Sequence, residues 1–444
     1  MDPIAPSKRS SPPILFDPLS AEFLADPYPF LTAAAAAAPA FFSETIDHWI
    51  VTRYNDIRHI LRTPALFSAA NANSPLRPPC PLAMKALETG GFKSVPTLTN
   101  ADPPAHTRVR KIANVAFTPK RVAEMETFIR DLTTRFCEER LQNGRADMVR
   151  DFAWALPALV LFRILGVADD EVPRVKEGSW SRILFIYGQP PDSEQVRAAE
   201  GLAAFWRFAE SLVRDRTRQP RQDLVTDLVN AKDLEGKGLA SEQAATVVLN
   251  LLFAGHETTT GLLGNVFRRL LDDRVSWEAI CSDSKLIPGA IEEVLRFDSS
   301  VIAWRRRTTQ EVDIGGVRVP SEAKLFLLLG AANRDPSVFP NPDHFDIRRP
   351  NAREHLSFGI GPHLCLGAPL ARLQAKVVLE EVSARFPNLR LVPGIKLEFA
   401  PNVTFRGPLS LPVEWGPNFL PSAQLPICCP LAIPNNTPWN RMPV

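Results

Sequence analysis

The stretch from Ser357 to Pro369 reads SFGIGPHLCLGAP and contains the most informative pattern in the chain. Its glycines permit a compact loop whose backbone can approach a ligand closely, and a helix is predicted directly after it, over residues 370–386. Free N–H groups at a helix start favour an anion, and a bare thiolate in a dry site is very costly unless a bound metal compensates it. The stretch therefore predicts that Cys365 is a thiolate ligand. The alternative is a structural cysteine buried near a helix start.

The spacing within this stretch, Phe-x-x-Gly-x-x-x-Cys-x-Gly, resembles the haem-ligand signature of the cytochrome P450 family. The resemblance implies a fold that is mainly α with a small β region, the cytochrome P450 fold, and haem b (iron protoporphyrin IX) as cofactor. It implies that Cys365 binds the haem iron, where the thiolate pushes electron density toward O–O cleavage. It also implies haem contacts at Phe358, Gly359 and Gly367.

A second pattern lies in the helix predicted over residues 242–272, which reads Ala-Gly-His-Glu-Thr-Thr at residues 254–259. Apolar residues recur there at three- and four-residue steps, which predicts one continuous helix. Glycine and β-branched threonine are poor helix formers, and such local conflicts often mark functional sites. Gly255 would let a flat ligand approach, and Thr258 could bond a carbonyl one turn back. Glu257 beside that hydroxyl would then form a proton relay.

The alternative for this pattern is a tightly packed helix with a solvent-facing glutamate. The cytochrome P450 family carries Ala/Gly-Gly-x-Asp/Glu-Thr-Thr at this place, so the resemblance implies that Ala254 and Gly255 adjoin the haem. It further implies that Glu257 and Thr258 deliver protons during oxygen activation. His256 occupies the variable position of the motif, which indicates a structural role.

Glu293 and Arg296 are three residues apart and share one face of a predicted helix. A lone pair at this spacing is usually an exposed ion pair. This one lies between the acid–alcohol helix and the cysteine loop, where the family has its E-x-x-R pair. The resemblance therefore implies a buried ion pair that supports the haem-side core.

Haem carries two carboxylates, and cationic partners for them stand in three parts of the chain. His106 and Arg110 share a face of a predicted helix and resemble the H-x-x-x-R motif of the family. Among the three consecutive arginines at 305–307 we expect Arg306 to reach a propionate, with its two neighbours as alternatives. His363 is a further candidate. For each of these residues the alternative is a solvated charge.

The composition is that of an ordinary globular chain and excludes several classes of protein. Of 444 residues, 45% are apolar and 23% charged, and the net charge is +2. This balance gives no support for a nucleic-acid partner, and no apolar run suits a signal sequence or a membrane span. The six cysteines show no zinc or redox C-x-x-C spacing. We therefore expect a cytoplasmic protein with reduced thiols and no membrane contact.

We predict one main domain, which spans residues 17–416. Residues 1–16 read as an extended lead-in and residues 417–444 as a proline-rich tail or linker. Residues 72–105, rich in proline and glycine, are predicted as a long loop. The predicted β structure comprises a strand at 49–52, a hairpin over 312–319, a strand at 324–329 and a strand pair near 395–413.

These features together imply a haem-thiolate monooxygenase, which inserts one atom of dioxygen into an organic substrate and releases the other as water. The expected walls of the substrate site are mostly apolar, which indicates a small hydrophobic or aromatic substrate. They comprise residues 72–100 and 176–205, Phe253, Ala254, residues 301–303, Thr404 and Phe405.

The electron source is predicted to be another protein or domain. Residues 1–444 hold no dinucleotide-binding fingerprint and no cysteine set for an iron–sulfur cluster. We therefore expect a ferredoxin or a flavin/iron-sulfur reductase, which docks near Arg353, Arg372 and Lys376. The N-terminal half resembles the haem domains of self-sufficient family members, which are fused to such a reductase.

Two other functions compete with monooxygenation. A peroxide-driven haem enzyme would not need the relay predicted at Glu257 and Thr258. A non-enzymatic haem-thiolate sensor would carry a regulatory or DNA-binding motif, and the sequence shows none.

Overall fold

The structure is a computed structural model that describes residues 16–233 and 235–416. The predicted lead-in, apart from Phe16, and the predicted tail at 417–444 lie outside the described residues. Helices dominate the described chain and the strands gather in three small sheets. The predicted fold class, mainly α with a small β region, is confirmed.

The α-helices are distributed over the whole described chain. They are α1 Ala21–Ala25, α2 Tyr28–Ala37, α3 Tyr54–Arg62, α4 Pro81–Thr89, α5 Ala105–Ala116, α6 Pro119–Arg140, α7 Leu156–Leu165, α8 Val172–Arg182, α9 Asp192–Arg218, α10 Leu224–Asn230, α11 Ser241–Ala254, α12 Glu257–Asp272, α13 Arg274–Ser282, α14 Ile287–Phe297, α15 Leu329–Ala332 and α16 Ala368–Arg385.

The strands are short and form a five-stranded sheet, a three-stranded sheet and a hairpin. They are β1 Ala40–Ser43, β2 His48–Val51, β3 Phe67–Ser68, β4 Arg145–Asp147, β5 Trp304–Thr308, β6 Val312–Ile314, β7 Val317–Val319, β8 Lys324–Leu327, β9 Arg390–Leu391 and β10 Pro412–Glu414. The orders are β1-β2-β8-β5-β3 and β4-β10-β9, with β6 paired to β7. Only the β2–β8 pair is parallel among the described strands.

Most of the predicted strands are present. β2, the β6–β7 hairpin and β8 coincide with predictions, whereas the pair predicted near 395–413 is displaced. Its strands are β9 and β10, which pair at Val413 and Leu391, and only an isolated bridge joins Phe399 to Pro408 between them.

The five-stranded sheet is buried on both faces. Leu325 and Leu327 of β8 belong to one apolar cluster, whereas Phe326 between them belongs to another on the opposite face. This alternation follows from the two-residue period of a strand. The largest apolar cluster lies among the helices, where α6, α7, α9, α11, α12, α14 and α16 contribute its residues.

The helix predicted as continuous over 242–272 is two helices, and that prediction was wrong at its centre. α11 ends at Ala254 and α12 begins at Glu257. The hydroxyl of Thr258 donates to the carbonyl of Ala254 at 2.9 Å, as expected of a threonine that bonds one turn back. Gly255 lies at the break. Glycine suits this position because a Cβ there would come within 2.9 Å of a Leu161 methyl group.

The prediction of a featureless loop over 72–105 was also wrong in its middle. α4 occupies Pro81–Thr89 and buries Ala83 against α9. Proline at the first position of a helix has a favourable fixed φ, and good helix formers follow it. The many prolines around this segment favour a loop by composition, which is why the short helix was not predicted. Among the described residues, no helix has both the length and the apolarity needed to cross a membrane.

Candidate active site

Cys365 lies in a loop that precedes α16, and backbone hydrogen bonds fold this loop back on itself. The N–H of Cys365 donates to the carbonyl of Phe358 at 2.9 Å, and the N–H of Gly359 donates to the carbonyl of Leu356 at 2.8 Å. Gly361 has a φ of +78°, and a Cβ there would come within 2.7 Å of the Leu61 carbonyl oxygen. Glycine is therefore required by both the backbone conformation and the close approach of α3.

The sulfur of Cys365 faces the start of α16. The backbone N–H groups of Gly367 and Ala368 bond to it, and Arg110 acts on it from a distance. The residue is accessible from the cavity described next, yet protein surrounds it deeply enough that burial raises the pKa of the thiol despite these groups. A nearby cation is what this environment needs to hold a thiolate. The described residues offer no group of His, Cys, Asp and Glu that could hold a metal ion, so a metal bound by Cys365 must bring further ligands.

A cavity, called here the active-site cavity, joins Cys365 to the α11–α12 junction and to the segment after α14. Its walls are mainly apolar. Tyr187 stacks nearly parallel to Phe253 with ring centroids 6.3 Å apart, and Phe405 meets Phe253 edge-on at 5.5 Å. Of the predicted wall positions, the cavity is lined by Asn73, Leu98, Thr99, Arg182, Tyr187, Phe253, Ala254, Val301 and Phe405.

Two histidines meet at one side of the active-site cavity. His106 on α5 and His363 in the cysteine loop stack with ring centroids 4.0 Å apart. Both ring nitrogens of His106 and the Nε2 of His363 are buried without a hydrogen-bond partner, whereas Nδ1 of His363 contacts the Leu98 carbonyl at 3.1 Å. Burial lowers the pKa of both imidazoles. Unpartnered polar atoms this deeply buried indicate a site for a polar ligand group.

Arg110 and Arg306 also line the active-site cavity. Arg110 lies one turn after His106 on α5, and Arg306 is 2% exposed on β5. The three consecutive arginines are distinguished by their contacts. Arg305 donates to the carbonyls of Ser74 and Ala72 at 2.6 and 3.0 Å.

The third arginine, Arg307, pairs with Glu322 at 2.9 Å. Arg306 is thus the one of the three whose side chain lines the cavity, at the position expected from the sequence.

The carboxylate of Glu257 contacts two buried basic groups. The Nε2 of His256 lies 2.9 Å and the Nζ of Lys176 lies 3.4 Å from Glu257 Oε1. Burial opposes ionisation of this carboxyl, but Lys176 and then His256 outweigh it and lower its pKa to about 2. The hydroxyl of Thr258 bonds instead to the Ala254 carbonyl. The structure therefore shows Glu257 next to Thr258 in sequence but without the direct hydrogen bond that a relay between them requires.

Glu293 and Arg296 form a buried ion pair on α14. The Oε1 of Glu293 lies 2.7 Å from Nη2 of Arg296, and both side chains are fully buried. Arg296 also donates to the carbonyls of Asn333 and Pro342 at 3.0 and 2.8 Å, and Arg349 contacts Glu293 at 3.2 Å. The buried position is the one expected from the sequence.

Three polar residues near the cavity were missed as individual site residues. Lys176 and Arg182 on α8 look like solvated charges in an amphipathic helix, yet they are 2% and 4% exposed. Asn250 on α11 lines the cavity and donates to Thr97 at 3.1 Å. The polar asparagine within the apolar run of α11 was the available signal.

Comparison with known proteins identifies the family. Residues 272–390 match the family model described as Cytochrome P450. The chain is 35% identical over 415 residues to Cytochrome P450 monooxygenase PikC of Streptomyces venezuelae, with 91% of this chain and 95% of the relative covered. The chain belongs to the cytochrome P450 family. A further P450 relative is 6-deoxyerythronolide B hydroxylase of Saccharopolyspora erythraea, 33% identical over 346 residues, with 78% of this chain and 84% of the relative covered.

Solved P450 structures agree with the fold. Cytochrome P450 CREJ in complex with (4-ethylphenyl) dihydrogen phosphate is 40% identical with a TM-score of 0.86, covering 88% of this chain and 98% of that one. The CYP116B5 heme domain of Acinetobacter radioresistens is 35% identical with a TM-score of 0.87, covering 90% and 97%. Full-length CYP116B46 of Tepidiphilus thermophilus is 34% identical with a TM-score of 0.87, covering 90% of this chain and 53% of that one. The neighbours also include an intact type IV self-sufficient cytochrome P450 monooxygenase, 34% identical with a TM-score of 0.86, covering 93% of this chain and 55% of that one.

As a member of this family, the chain is a haem-thiolate P450 monooxygenase and binds haem b. The residues of the active-site cavity fit that group. The unpartnered nitrogens of His106 and His363 lie buried where Arg306 acts on both imidazoles, which suits a carboxylate side chain. The buried thiol of Cys365 lacks the cation that a thiolate needs, and haem iron would supply it.

Proposed function

We propose that this P450 monooxygenase binds its haem iron through Cys365 and oxidises a small hydrophobic or aromatic substrate with electrons from a redox partner. The observation that supports the proposal is the position of the Cys365 sulfur at a cavity with aromatic walls. The backbone N–H groups of Gly367 and Ala368 stabilise the thiolate. Phe358 and Gly359 hold the loop in shape through their backbone bonds.

The cations and imidazoles of the active-site cavity would hold the haem propionates. Arg306 and Arg110 would supply the positive charge, and His106 would supply a buried N–H donor. Nδ1 of His363 is bonded to the Leu98 carbonyl, so its Nε2 would donate only when the imidazole is protonated. Charge-assisted hydrogen bonds of this kind are stronger than neutral ones. Ala254 and Gly255 line the same cavity and would adjoin the bound haem.

Residues of this chain position protons beside the cavity. When bound, the haem supplies the iron at which dioxygen is activated. Thr258 lines the cavity, and its bond to the Ala254 carbonyl fixes the orientation of its hydroxyl. In the same turn, the Glu257 carboxylate holds a negative charge, and the nitrogens of Lys176 and His256 beside it can hold protons. Glu257 must leave its contacts with Lys176 and His256 before it can pass a proton to the Thr258 hydroxyl.

The substrate is a small aromatic or apolar molecule. Tyr187, Phe253 and Phe405 offer ring faces and edges within one cluster. The structure of CREJ in complex with (4-ethylphenyl) dihydrogen phosphate supports a substrate with a single substituted ring. The electron donor is a ferredoxin with its reductase or a flavin/iron-sulfur reductase, in line with the resemblance to self-sufficient P450s.

Replacing Cys365 tests the ligand assignment. The reduced carbon-monoxide complex of the wild type should show the red-shifted Soret band of thiolate ligation, and Cys365→His should lose it. Cys137→Ser, at a buried cysteine of α6, is the matched control and should keep the band. Retention in Cys365→His would overturn the assignment.

Reconstitution tests the activity. The purified haem-loaded chain should oxidise members of a panel of alkylated aromatics when NADPH, a ferredoxin and its reductase are all present. It should consume no NADPH without them. Substrate-dependent NADPH oxidation by the chain alone contradicts the need for a partner.

A further inference from the structure

Arg182, the last residue of α8, lies in the wall of the active-site cavity. It is 4% exposed, and its guanidinium lies over the Phe253 ring at 4.7 Å from the centroid. The polar group that interacts with Arg182 is the Tyr187 hydroxyl. That hydroxyl in turn donates a hydrogen bond to Asn73 at 3.3 Å. Its Nε is buried without a hydrogen-bond partner. Arg182 is therefore held in place while part of its donor capacity stays unused.

No carboxylate among the described residues pairs with Arg182. Two other buried arginines have such partners, since Arg216 pairs with Asp223 and Arg296 with Glu293. Arg305, which is also buried without a carboxylate, donates to two backbone carbonyls instead. Burial lowers the pKa of Arg182, which reflects the cost of holding its charge away from water. An arginine stays charged even so, and an uncompensated buried charge is costly. A bound anion would compensate this buried charge, so the cavity is suited to an anionic ligand.

The cation at Arg182 is separate from the proposed propionate site. Arg306 interacts electrostatically with the imidazoles of His106 and His363. Arg182 instead contacts Phe253 and Tyr187. Those two rings belong to the aromatic wall proposed to hold the substrate. Arg182 thus lies where a substituent of the substrate ring would meet it.

We propose that Arg182 binds an oxyanion on the substrate, so that this P450 selects aromatic molecules that carry a carboxylate, sulfate or phosphate monoester. The inference rests on the proposed function of the cavity and adds the charge of the substrate to it. The planar guanidinium can donate two parallel N–H groups to such an oxyanion. The aromatic wall holds the ring, which leaves the apolar end of the molecule toward Thr258 and Cys365.

Binding to the haem-loaded protein tests the proposal. The probes are 4-ethylbenzoate, 4-ethylphenyl phosphate and the neutral 4-ethylphenol, with dissociation constants measured by calorimetry at low salt and neutral pH. At least one anion should bind about tenfold or more tightly than 4-ethylphenol. The two anions distinguish a planar carboxylate from a tetrahedral phosphate, and a preference for either supports an oxyanion site.

Arg182→Met keeps an apolar stem of similar length and should weaken binding of the favoured anion by about tenfold or more, with 4-ethylphenol changed by less than about threefold. Arg182→Lys keeps the charge without the planar fork and should recover part of the affinity. Arg174→Met is the matched control, because Arg174 also lies on α8 over a phenylalanine but is exposed. Thermal unfolding of all three variants reports whether the fold is kept.

Two results overturn the proposal. One is that 4-ethylphenol binds as tightly as both anions. The other is that Arg182→Met weakens all three ligands equally, which would make Arg182 a structural residue of the aromatic wall. The proposed function fails separately: Arg182-dependent anion binding without any product in the reconstituted system contradicts it, whereas oxidation of 4-ethylphenol without anion preference leaves it intact and refutes only the role of Arg182.

Discussion

Lys176 on α8 and Glu257 at the start of α12 form an ion pair in the interior, with 3.4 Å between Nζ and Oε1. Their side chains are 2% and 8% exposed. The Nζ of Lys176 also lies 3.2 Å from the hydroxyl of Thr260. The pair therefore links α8, which carries Arg182, to the turn that carries Thr258.

Removing the lysine should destabilise the protein more than removing both partners. Lys176→Met leaves the Glu257 carboxylate buried with only His256, and we expect a loss of about 3 kcal/mol in the free energy of unfolding. The double variant Lys176→Met/Glu257→Gln removes the stranded charge and should recover most of that loss. Urea unfolding of the haem-loaded proteins measures both. Equal losses in the two variants would show that the ion pair is not the cause.

The same pair gives an acid dependence of stability with a defined sign. The pKa of Glu257 falls from 4.5 to about 2 on folding, because Lys176 and His256 outweigh the effect of burial. Its contribution to stability is then fully present above pH 4.5 and is lost as the pH falls toward 2. The difference in unfolding free energy between wild type and Lys176→Met should therefore narrow across this interval. A difference that widens on acidification would contradict the assignment.

The acid–alcohol motif was visible in the sequence, but the partners of its acid were not. Gly255 and Thr258 conflict with a regular helix, and this local conflict identified the site. Lys176 comes from a helix far away in the chain, and nothing in its local pattern distinguishes a buried lysine from a solvated one. Its burial depends on how α8 packs against α12, which is tertiary information.

Thr258→Ala should separate ligand binding from productive chemistry. The variant keeps the cavity walls, so haem and substrate binding should change little. It loses a hydroxyl of the cavity wall that is proposed to deliver protons, and we expect a larger share of reducing equivalents to appear as peroxide or water. Thr258→Ser restores a hydroxyl and should recover coupling. Product formed per NADPH consumed is the measurement, and unchanged coupling in Thr258→Ala would refute the role.

Glu293→Gln should cost far more stability than the same change at an exposed pair. Glu293 is fully buried and contacts both Arg296 and Arg349, so the variant leaves buried guanidinium groups without their anion. We expect a loss of about 3–5 kcal/mol. Glu278→Gln is the control, since its pair with Arg274 is largely exposed, and it should cost less than about 1 kcal/mol. Chemical unfolding compares them, and similar costs would contradict the structural role.

The propionate candidates show where sequence and structure each contribute. The motif spacing indicated His106, Arg110 and His363, but three consecutive arginines give no register by themselves. A strand directs successive side chains to opposite faces. β5 places Arg306 in the cavity wall, whereas Arg305 bonds to the segment after β3 and Arg307 pairs with Glu322 in the loop before β8. That register depends on the pairing of the strands, which the sequence does not specify.

The predicted docking face keeps Arg353 but changes at its other two positions, Arg372 and Lys376. Arg372 pairs with the buried Glu292 at 2.6 Å, and Lys376 lies 3.6 and 3.4 Å from Glu126 and Glu380, so their charges are already compensated. Arg58 and Arg353 are exposed beside a surface groove that also contains Leu364, and they form no ion pair within the described part of the chain.

Arg353→Glu should therefore slow electron delivery from an acidic ferredoxin at low salt, with a smaller effect at high salt because exposed charges are screened. Arg197→Glu, on the exposed surface of α9, is the control and should leave the rate unchanged. Arg372→Glu should act differently, because it places a second carboxylate against Glu292 and lowers stability at any salt concentration. Stopped-flow reduction of the haem protein across a salt series, together with thermal unfolding, distinguishes the two effects. If the reduction rate changes neither with Arg353→Glu nor with ionic strength, the electron donor docks on another face.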